Sequence, residues 1–132
     1  MSSHVPLERL KELARAMSDR AYAPYSRYKV GAALETESGA VFTGCNVENA
    51  SYGLTICAER GALAAAVAEG HRSFRRLVVA TEGDEAVAPC GACRQVLAEF
   101  GTGLEVHGIG RKENRRWTLQ ELIPDVFVLT DD

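Results

Sequence analysis

The sequence predicts an α/β fold, in which a three-layer α/β/α sandwich surrounds a mixed sheet of about five strands. Three observations predict it: an early strand pair, two helical stretches that each end at a glycine, and between them the apolar run 77–80, typical of a strand covered on both faces. A chain of 132 residues is long enough for one core, so we expect a single domain over 1–132.

The first third of the chain predicts a helix and a hairpin. Leucine, methionine and alanine recur at helical spacing over 6–21, and Pro6 suits a first helical turn. Apolar residues alternate with others over 28–34, which predicts a strand. A turn at 37–39 then leads into a second strand over 40–45.

The middle of the chain alternates helices and strands. The alanine-rich stretch 57–69 is followed by Gly70 and predicts a helix with a glycine stop, and 90–100 before Gly101 predicts a second one. Residues 104–109 have the composition of another strand. Because helices separate these strands, we expect parallel neighbours in the sheet.

The tail carries weaker signals. The basic run 111–116 has the composition of a solvated loop rather than a binding patch. Thr118 with Glu121 predicts a capping box at the start of a short final helix. A brief edge strand is expected near Trp117 or Phe127.

Composition excludes several classes of function. The net charge is −3, which argues against nucleic acid as a partner, since phosphate backbones need a basic surface. The N-terminus lacks the apolar core of a signal peptide, and no run is long enough to cross a bilayer. We therefore expect a cytoplasmic protein with no membrane partner. In a reducing compartment, its four cysteines indicate metal binding or catalysis rather than disulfides.

Three of the cysteines have the spacing of one metal site. Two residues separate Cys90 from Cys93, and Cys57 opens the other helix. The positive end of each helix favours the thiolate form, and soft thiolates select zinc. A structural zinc site has four protein ligands, whereas a catalytic one keeps a position open. Three cysteines therefore indicate a catalytic site with one Zn²⁺ per chain.

Glu59 and Arg60, which closely follow Cys57, complete the predicted site. Glu59 projects away from the ligands and is the candidate catalytic proton carrier, although a first-turn Glu also simply favours the helix dipole. Arg60 is placed to offset the charge of three thiolates, unless it is an exposed helix arginine. Cys45 is expected to be a free cysteine rather than a fourth ligand. The histidines lack ligand spacing, and surface or packing roles are expected for His4, His71 and His107.

Four stretches of the sequence, 23–33, 42–52, 57–60 and 89–96, carry a resemblance to a known family. Cys-x-Glu followed by Pro-Cys-x-x-Cys is the zinc pattern of nucleobase deaminases. The stretch Asn-Val-Glu-Asn-Ala-Ser-Tyr is more specific to enzymes of free nucleosides. Over nearly its whole length, the chain resembles the short zinc-dependent cytidine deaminases of the homotetrameric type.

The resemblance implies roles for further residues. Asn46 and Glu48 would hydrogen-bond the ribose hydroxyls, although composition alone makes them turn-forming polar residues. Tyr28 stands where similar enzymes usually place Phe against the base, and it keeps the π face. The backbone N–H near Ala58 would stabilise developing charge. Further substrate contacts, made in part across subunits, are implied for Ala50, Tyr52 and Phe127.

The implied function is hydrolytic deamination of cytidine and 2′-deoxycytidine to uridine and 2′-deoxyuridine with release of ammonia, a reaction of pyrimidine salvage. The implied assembly is a homotetramer with shared active sites. Three alternatives stay open: another cytosine nucleoside such as blasticidin S as substrate, a structural zinc module that binds a partner or RNA, and editing of polynucleotides.

Overall fold

A computed structural model describes residues 4–129. Four α-helices, five strands and one 3₁₀ turn follow one another along this part of the chain. In chain order they are α1 Leu7–Ser18, β1 Val30–Thr36, β2 Val41–Cys45, the 3₁₀ turn Tyr52–Leu54, α2 Ala58–Ala68, β3 Phe74–Thr81, α3 Gly91–Ala98, β4 Glu105–Ile109, β5 Asn114–Thr118 and α4 Leu119–Leu122.

The five strands form one mixed sheet in the order β2-β1-β3-β4-β5. β3 and β4 are parallel, as expected for strands joined by a helix, and the other pairs are antiparallel. The expectation of parallel neighbours is wrong for β3 and β1, which pair with Val78 opposite Ala33. The crossover through α2 gives β3 the direction of β2, but β1 already lies between them.

Alternating side chains bury both faces of the sheet, which confirms the three-layer sandwich. On one face the strands pack against α2 and α3, and the buried strand residues there are Ala32, Leu34, Leu77, Val79 and Val106. On the other face they pack against α1, and the strand residues there are Ala33, Val78, Ala80 and Ile109.

A glycine lets the start of α2 lie directly on the sheet. A Cβ on Gly44 in β2 would lie 2.4 Å from the carbonyl oxygen of Ala58 and 2.6 Å from the backbone nitrogen of Ala62. A side chain at this position would push the helix away. The close approach therefore fixes the first turn of α2, which carries Glu59, against the sheet.

Several boundaries differ from the sequence-based expectations. α1 ends at Ser18, three residues early. β1 begins at Val30, so Tyr28 lies in the preceding turn, where Arg27 has a left-handed φ of 59°. The capping box of Thr118 is confirmed.

The tail departs further from the expectations. The basic run was expected to be a loop, but its residues 114–116 belong to β5. They pair with β4, with Arg115 opposite Gly108 and Arg116 opposite His107. This is the edge strand expected near Trp117, while the chain at Phe127 forms no strand within the described residues. No helix in the described part of the chain is long and apolar enough to span a membrane.

Candidate active site

Three cysteine sulfurs converge where two helices begin. Cys57 is the N-cap residue of α2 and Cys90 that of α3, while Cys93 lies in the first turn of α3. Their Sγ atoms all lie within 4.8 Å of one another. Because each helix begins at the cluster, the positive ends of two helix dipoles face the same sulfurs.

The cluster has the donor chemistry and dimensions of a zinc site. Tetrahedral coordination with Zn–S bonds of about 2.3 Å places sulfurs about 3.8 Å apart, which is compatible with sulfurs that all lie within 4.8 Å of one another. Cys45 lies elsewhere, with its Sγ 3.6 Å from the carbonyl oxygen of Arg20. Within the described residues, the group that qualifies as a metal site is therefore Cys57, Cys90 and Cys93, three thiols without a fourth protein ligand.

The thiols are already coupled to one another. The pKa of Cys57 is lowered to about 5, first because Cys93 hydrogen-bonds to its sulfur and then because Arg60 lies beside it. The pKa of Cys93 is raised, because its proton is held by Cys57 and it is buried. Thiols that share protons in this way exchange them for a divalent cation when one binds.

Glu59 lies beside the sulfurs and is buried, with 5% of its surface exposed. Burial raises the pKa of this carboxyl above its usual range, and the charge of Cys57 adds to the effect. Its own backbone N–H, Cys93 and Arg60 oppose the shift without cancelling it. A buried carboxyl with a raised pKa, next to a set of metal-binding thiols, is suited to accept and return a proton.

Arg60 turns its guanidinium to the cluster. One Nη2 contact reaches Cys57 Sγ at 3.4 Å and another the carbonyl oxygen of Thr55 at 3.2 Å. Its Nε is buried and lacks a hydrogen-bond partner within residues 4–129. Of the two readings of this residue, the structure favours the one in which its charge acts on the thiolates, because the side chain is directed to sulfur.

Asn46 and Glu48 form a second polar group, around the turn before β1. Asn46 Nδ2 donates to the carbonyl oxygen of Tyr28 at 2.8 Å, and its Oδ1 accepts from the N–H of Val30 at 2.9 Å. The Glu48 carboxylate accepts from the backbone of the turn, and the hydroxyl of Ser26 holds the pKa of this carboxyl below its usual range. Both side chains therefore bind the backbone of the same turn.

Tyr28 extends from the polar group to the loop between β3 and α3. Its ring is partly exposed, and its hydroxyl oxygen lies 3.7 Å from the position that a Cβ on Gly83 would occupy. Gly83 belongs to the loop that leads from β3 to Cys90. The backbone N–H of Ala58 lies in the first turn of α2, where N–H groups have no partner within the helix.

The remaining implied contacts lie on the surface of the chain. Ala50 and Tyr52 are exposed in the loop before α2, with Tyr52 against the ring of Tyr25 at 6.0 Å between centroids. Phe127 is exposed, but its carbonyl oxygen accepts from Gln95 Nε2 on α3 at 3.1 Å. None of these three lies in contact with the sulfurs in the hydrogen bonds and ring contacts of the described residues.

Sequence reasoning missed three residues that hold the site in place. Ser26 binds Glu48, Gln95 binds the tail, and Arg94 joins Pro89, at 2.7 Å, to Leu122, at 2.9 Å. Arg94 and Gln95 directly follow Cys93, and that position on a ligand-bearing helix was the signal available for them. Nothing in the sequence distinguished Ser26 from an ordinary turn serine.

Comparisons with known proteins agree with this arrangement. Residues 5–108 match the cytidine and deoxycytidylate deaminase zinc-binding region. The cytidine deaminase of Sporosarcina psychrophila is 42% identical over 127 residues, which cover 95% of this chain and 93% of that protein. The cytidine deaminase of Mycobacterium tuberculosis is 46% identical over 111 residues, 84% of this chain and 81% of that protein.

A solved structure extends the likeness to three dimensions. The crystal structure of cytidine deaminase from Burkholderia pseudomallei matches with a TM-score of 0.89 at 50% identity, covering 93% of this chain and 100% of that one. The fold and the three-thiol site thus define a zinc-dependent hydrolase. Within that class, the chain belongs to the cytidine and deoxycytidylate deaminase family.

Proposed function

We propose that this protein, as one domain over 1–132, hydrolyses the 4-amino group of cytidine and 2′-deoxycytidine. The products are the corresponding uracil nucleosides and ammonia. The observation that carries the proposal is the set of three thiols at two helix starts with the buried carboxyl of Glu59 beside them. The family of the chain and the names of its relatives support the same reaction.

Cys57, Cys90 and Cys93 would hold one Zn²⁺ per chain. When bound there, zinc supplies a Lewis acid that makes water acidic enough to act as a nucleophile near neutral pH. The three thiolates place an excess negative charge in the cluster, which opposes that acidity. Arg60 and the two helix N-termini offset this charge from outside the ligand set.

Glu59 moves the protons of the reaction. Its carboxylate accepts a proton from the attacking water as the water oxygen bonds to C4 of the pyrimidine. It delivers that proton to ring N3, then takes the remaining proton from the new hydroxyl on C4 and passes it to the amino group. The C4–N bond breaks as the C4=O bond forms, and the amine leaves as ammonia. The backbone N–H of Ala58, at the positive end of α2, stabilises charge that develops on the substrate.

The second polar group binds the nucleoside. Asn46 and Glu48 hydrogen-bond the ribose, and of the two hydroxyls on the sugar ring the 3′ one is present in both substrates. Tyr28, on the turn that these residues hold, presents its ring to the base. The acidic net charge favours a free nucleoside over a nucleic acid.

The active form is proposed to be a homotetramer with shared sites. The loop before α2 presents apolar residues to solvent, and they adjoin one another because Val47 bridges to both Tyr22 and Ile56. Such a continuous apolar surface is typical of a subunit interface. The residues that would reach a neighbouring subunit's site are Ala50, Tyr52 and Phe127.

A cytoplasmic place in pyrimidine salvage is part of the same proposal. Free nucleosides are the substrates of salvage, which is the class of reaction that the proposed activity would serve. Fractionation of the source cells tests the location, and light scattering coupled to gel filtration tests the tetramer.

The function is tested by following cytidine, 2′-deoxycytidine and blasticidin S by absorbance and released ammonia. The assay is run on the zinc-loaded protein, after chelation, and after zinc is restored. Turnover of the first two substrates that disappears on chelation and returns with zinc is the expected result. Turnover of blasticidin S alone, or of a cytosine-containing oligonucleotide alone, would overturn the substrate assignment.

A further inference from the structure

The turn before β1 is held by the two residues proposed to bind ribose. Glu48 Oε1 accepts from the backbone N–H groups of Tyr25 at 3.0 Å and Ser26 at 3.1 Å. Asn46 Nδ2 donates to the carbonyl oxygen of Tyr28 at 2.8 Å. The residues for the sugar and the residue for the base therefore share one set of hydrogen bonds.

A single hydroxyl closes this set. Ser26 Oγ donates to Glu48 Oε2 and accepts from the backbone N–H of Tyr28 at 3.0 Å. A hydroxyl has one proton to donate and two lone pairs, so both bonds form at once. Both oxygens of Glu48 are thus fixed. The backbone of Tyr28 is held at its N–H by Ser26 and at its carbonyl oxygen by Asn46.

The turn needs such support because its backbone is strained. Arg27, between Ser26 and Tyr28, has a φ of 59°, in the left-handed region that is unfavourable for residues other than glycine. Strained residues of this kind persist where the surroundings over-determine them, and they are common at ligand sites. Here the surroundings are the hydrogen bonds of Glu48 and Asn46 described above.

We propose that Ser26 is a positioning residue that couples recognition of the sugar to stacking on the base. It acts through Glu48, whose carboxylate it orients toward the 3′ hydroxyl, and through the peptide of Tyr28. The proposal rests on the proposed function, in which Glu48 and Tyr28 contact the nucleoside. Removal of the hydroxyl frees Glu48 Oε2 and leaves the Tyr28 N–H unpaired in the turn.

The test compares 2′-deoxycytidine with 2′,3′-dideoxycytidine, which lacks the hydroxyl assigned to Glu48. In Ser26→Ala, KM for 2′-deoxycytidine should rise about tenfold, as for the loss of one hydrogen bond to a charged group, with kcat little changed. KM for the dideoxy compound should rise by no more than about threefold, since only the base contact remains to be weakened. Ser26→Thr, which keeps the hydroxyl, should restore the wild-type values.

The controls separate positioning from general damage. Ser73 is an exposed residue directly before β3, far from the turn that contains Ser26. Ser73→Ala also removes a serine hydroxyl and should leave KM for both nucleosides unchanged. Ser26→Cys retains a weak donor and should give an intermediate KM for 2′-deoxycytidine, which also provides the test if Ser26→Ala does not fold. Zinc content and the melting temperature are measured for every variant.

The outcomes distinguish this proposal from the proposed function. Wild-type protein that releases no ammonia from either nucleoside would overturn both. With active wild type, an unchanged KM in Ser26→Ala, an equal rise for the two nucleosides, or a fall in kcat alone would overturn the role of Ser26 and leave the proposed reaction standing.

Discussion

Two buried glutamates, on opposite sides of the sheet, have pKa values that are shifted in opposite directions. Glu35 in β1 is fully buried and fully partnered: it accepts from Arg76 Nε at 2.8 Å, Arg75 Nη1 at 3.3 Å and the N–H of Val5 at 2.8 Å. Burial alone would raise the pKa of Glu35, but these donors hold it below its usual range. Glu35 therefore remains charged and joins α1 to the sheet.

Glu59 in α2 is buried to nearly the same degree with the opposite result. Burial raises the pKa of Glu59, and the nearest guanidinium, Arg60, donates to Cys57 and Thr55 instead. A carboxyl without a directly bound cation can gain and lose a proton, whereas one with two bound arginines cannot. The cations bound to a buried glutamate, rather than its degree of burial, therefore determine whether it stays charged or can exchange a proton.

The largest expected effect comes from removing Glu59, the proposed proton carrier. Glu59→Gln should lower kcat for cytidine by at least about 10²–10⁴-fold, the usual contribution of a general acid–base group. It should retain one zinc per chain and a free energy of unfolding at or above that of wild type, since a buried carboxyl without a cation is removed. Steady-state kinetics, metal analysis and urea unfolding measure these quantities. Near-normal turnover would contradict the proposed difference in role between Glu59 and Glu35.

The same substitution at Glu35 should have the opposite phenotype. Glu35→Gln leaves Arg76 buried opposite a neutral group, and the free energy of unfolding should fall by about 3–5 kcal/mol. The kcat of the folded fraction should stay at the wild-type value, because Glu35 is not part of the site. Urea unfolding measures the free energy of unfolding. The cytidine assay, run at low denaturant, measures kcat. Glu59→Gln serves as the matched control, and a loss of kcat in Glu35→Gln would contradict the comparison.

A smaller effect is expected from Arg60, the arginine that binds sulfur rather than carboxylate. Arg60→Gln should weaken zinc binding or kcat/KM by about 10–100-fold, the range found for groups that support metal ligands. The physical reason is that the charge beside Cys57 is lost. Competition with a zinc-sensitive dye and the cytidine assay measure the effect, with the exposed helix residue Arg9→Gln as control. An unchanged affinity and kcat/KM would return Arg60 to the role of a surface arginine.

The smallest effect is the pH dependence that Glu35 contributes to stability. Its pKa is lowered in the folded state, so its contribution is fully present above the ordinary glutamate pKa of about 4.3 and is lost as pH falls through the lower folded value. The difference in unfolding free energy between wild type and Glu35→Gln should therefore shrink from pH 7 toward pH 3. Urea unfolding at several pH values measures it, and a difference that grows on acidification would contradict the assigned shift.

Much of the fold follows from local sequence patterns. Glycine stops, the capping box and the apolar run of β3 are short-range signals, and the elements that they predict are present. The pairing of β3 with β1 could not be predicted, because strand order depends on packing between distant segments. An edge strand was expected near Trp117, but its first residues, 114–116, were assigned to a loop because they contain no apolar residue, and their strand conformation depends on pairing with β4.

The candidate site, like the fold, could be predicted only in part. The cluster of Cys57, Cys90 and Cys93 could be predicted, because ligand spacing and helix starts are written along the chain. The polar group at 46–48 was expected to contact ribose, but its hydrogen bonds to the turn at 25–28 depend on how two loops meet. The partners of Glu35 were likewise invisible, since Arg76 lies forty-one positions away.

The proposed reaction depends most on three thiolates that bind zinc beside Glu59 and leave a fourth position to a small oxygen ligand. X-ray absorption at the zinc edge of the active protein measures the ligand set directly. We expect three sulfur neighbours at about 2.3 Å and one light atom. Four sulfur neighbours, with Cys45 recruited to the metal, or zinc bound outside the cysteine cluster, would contradict it.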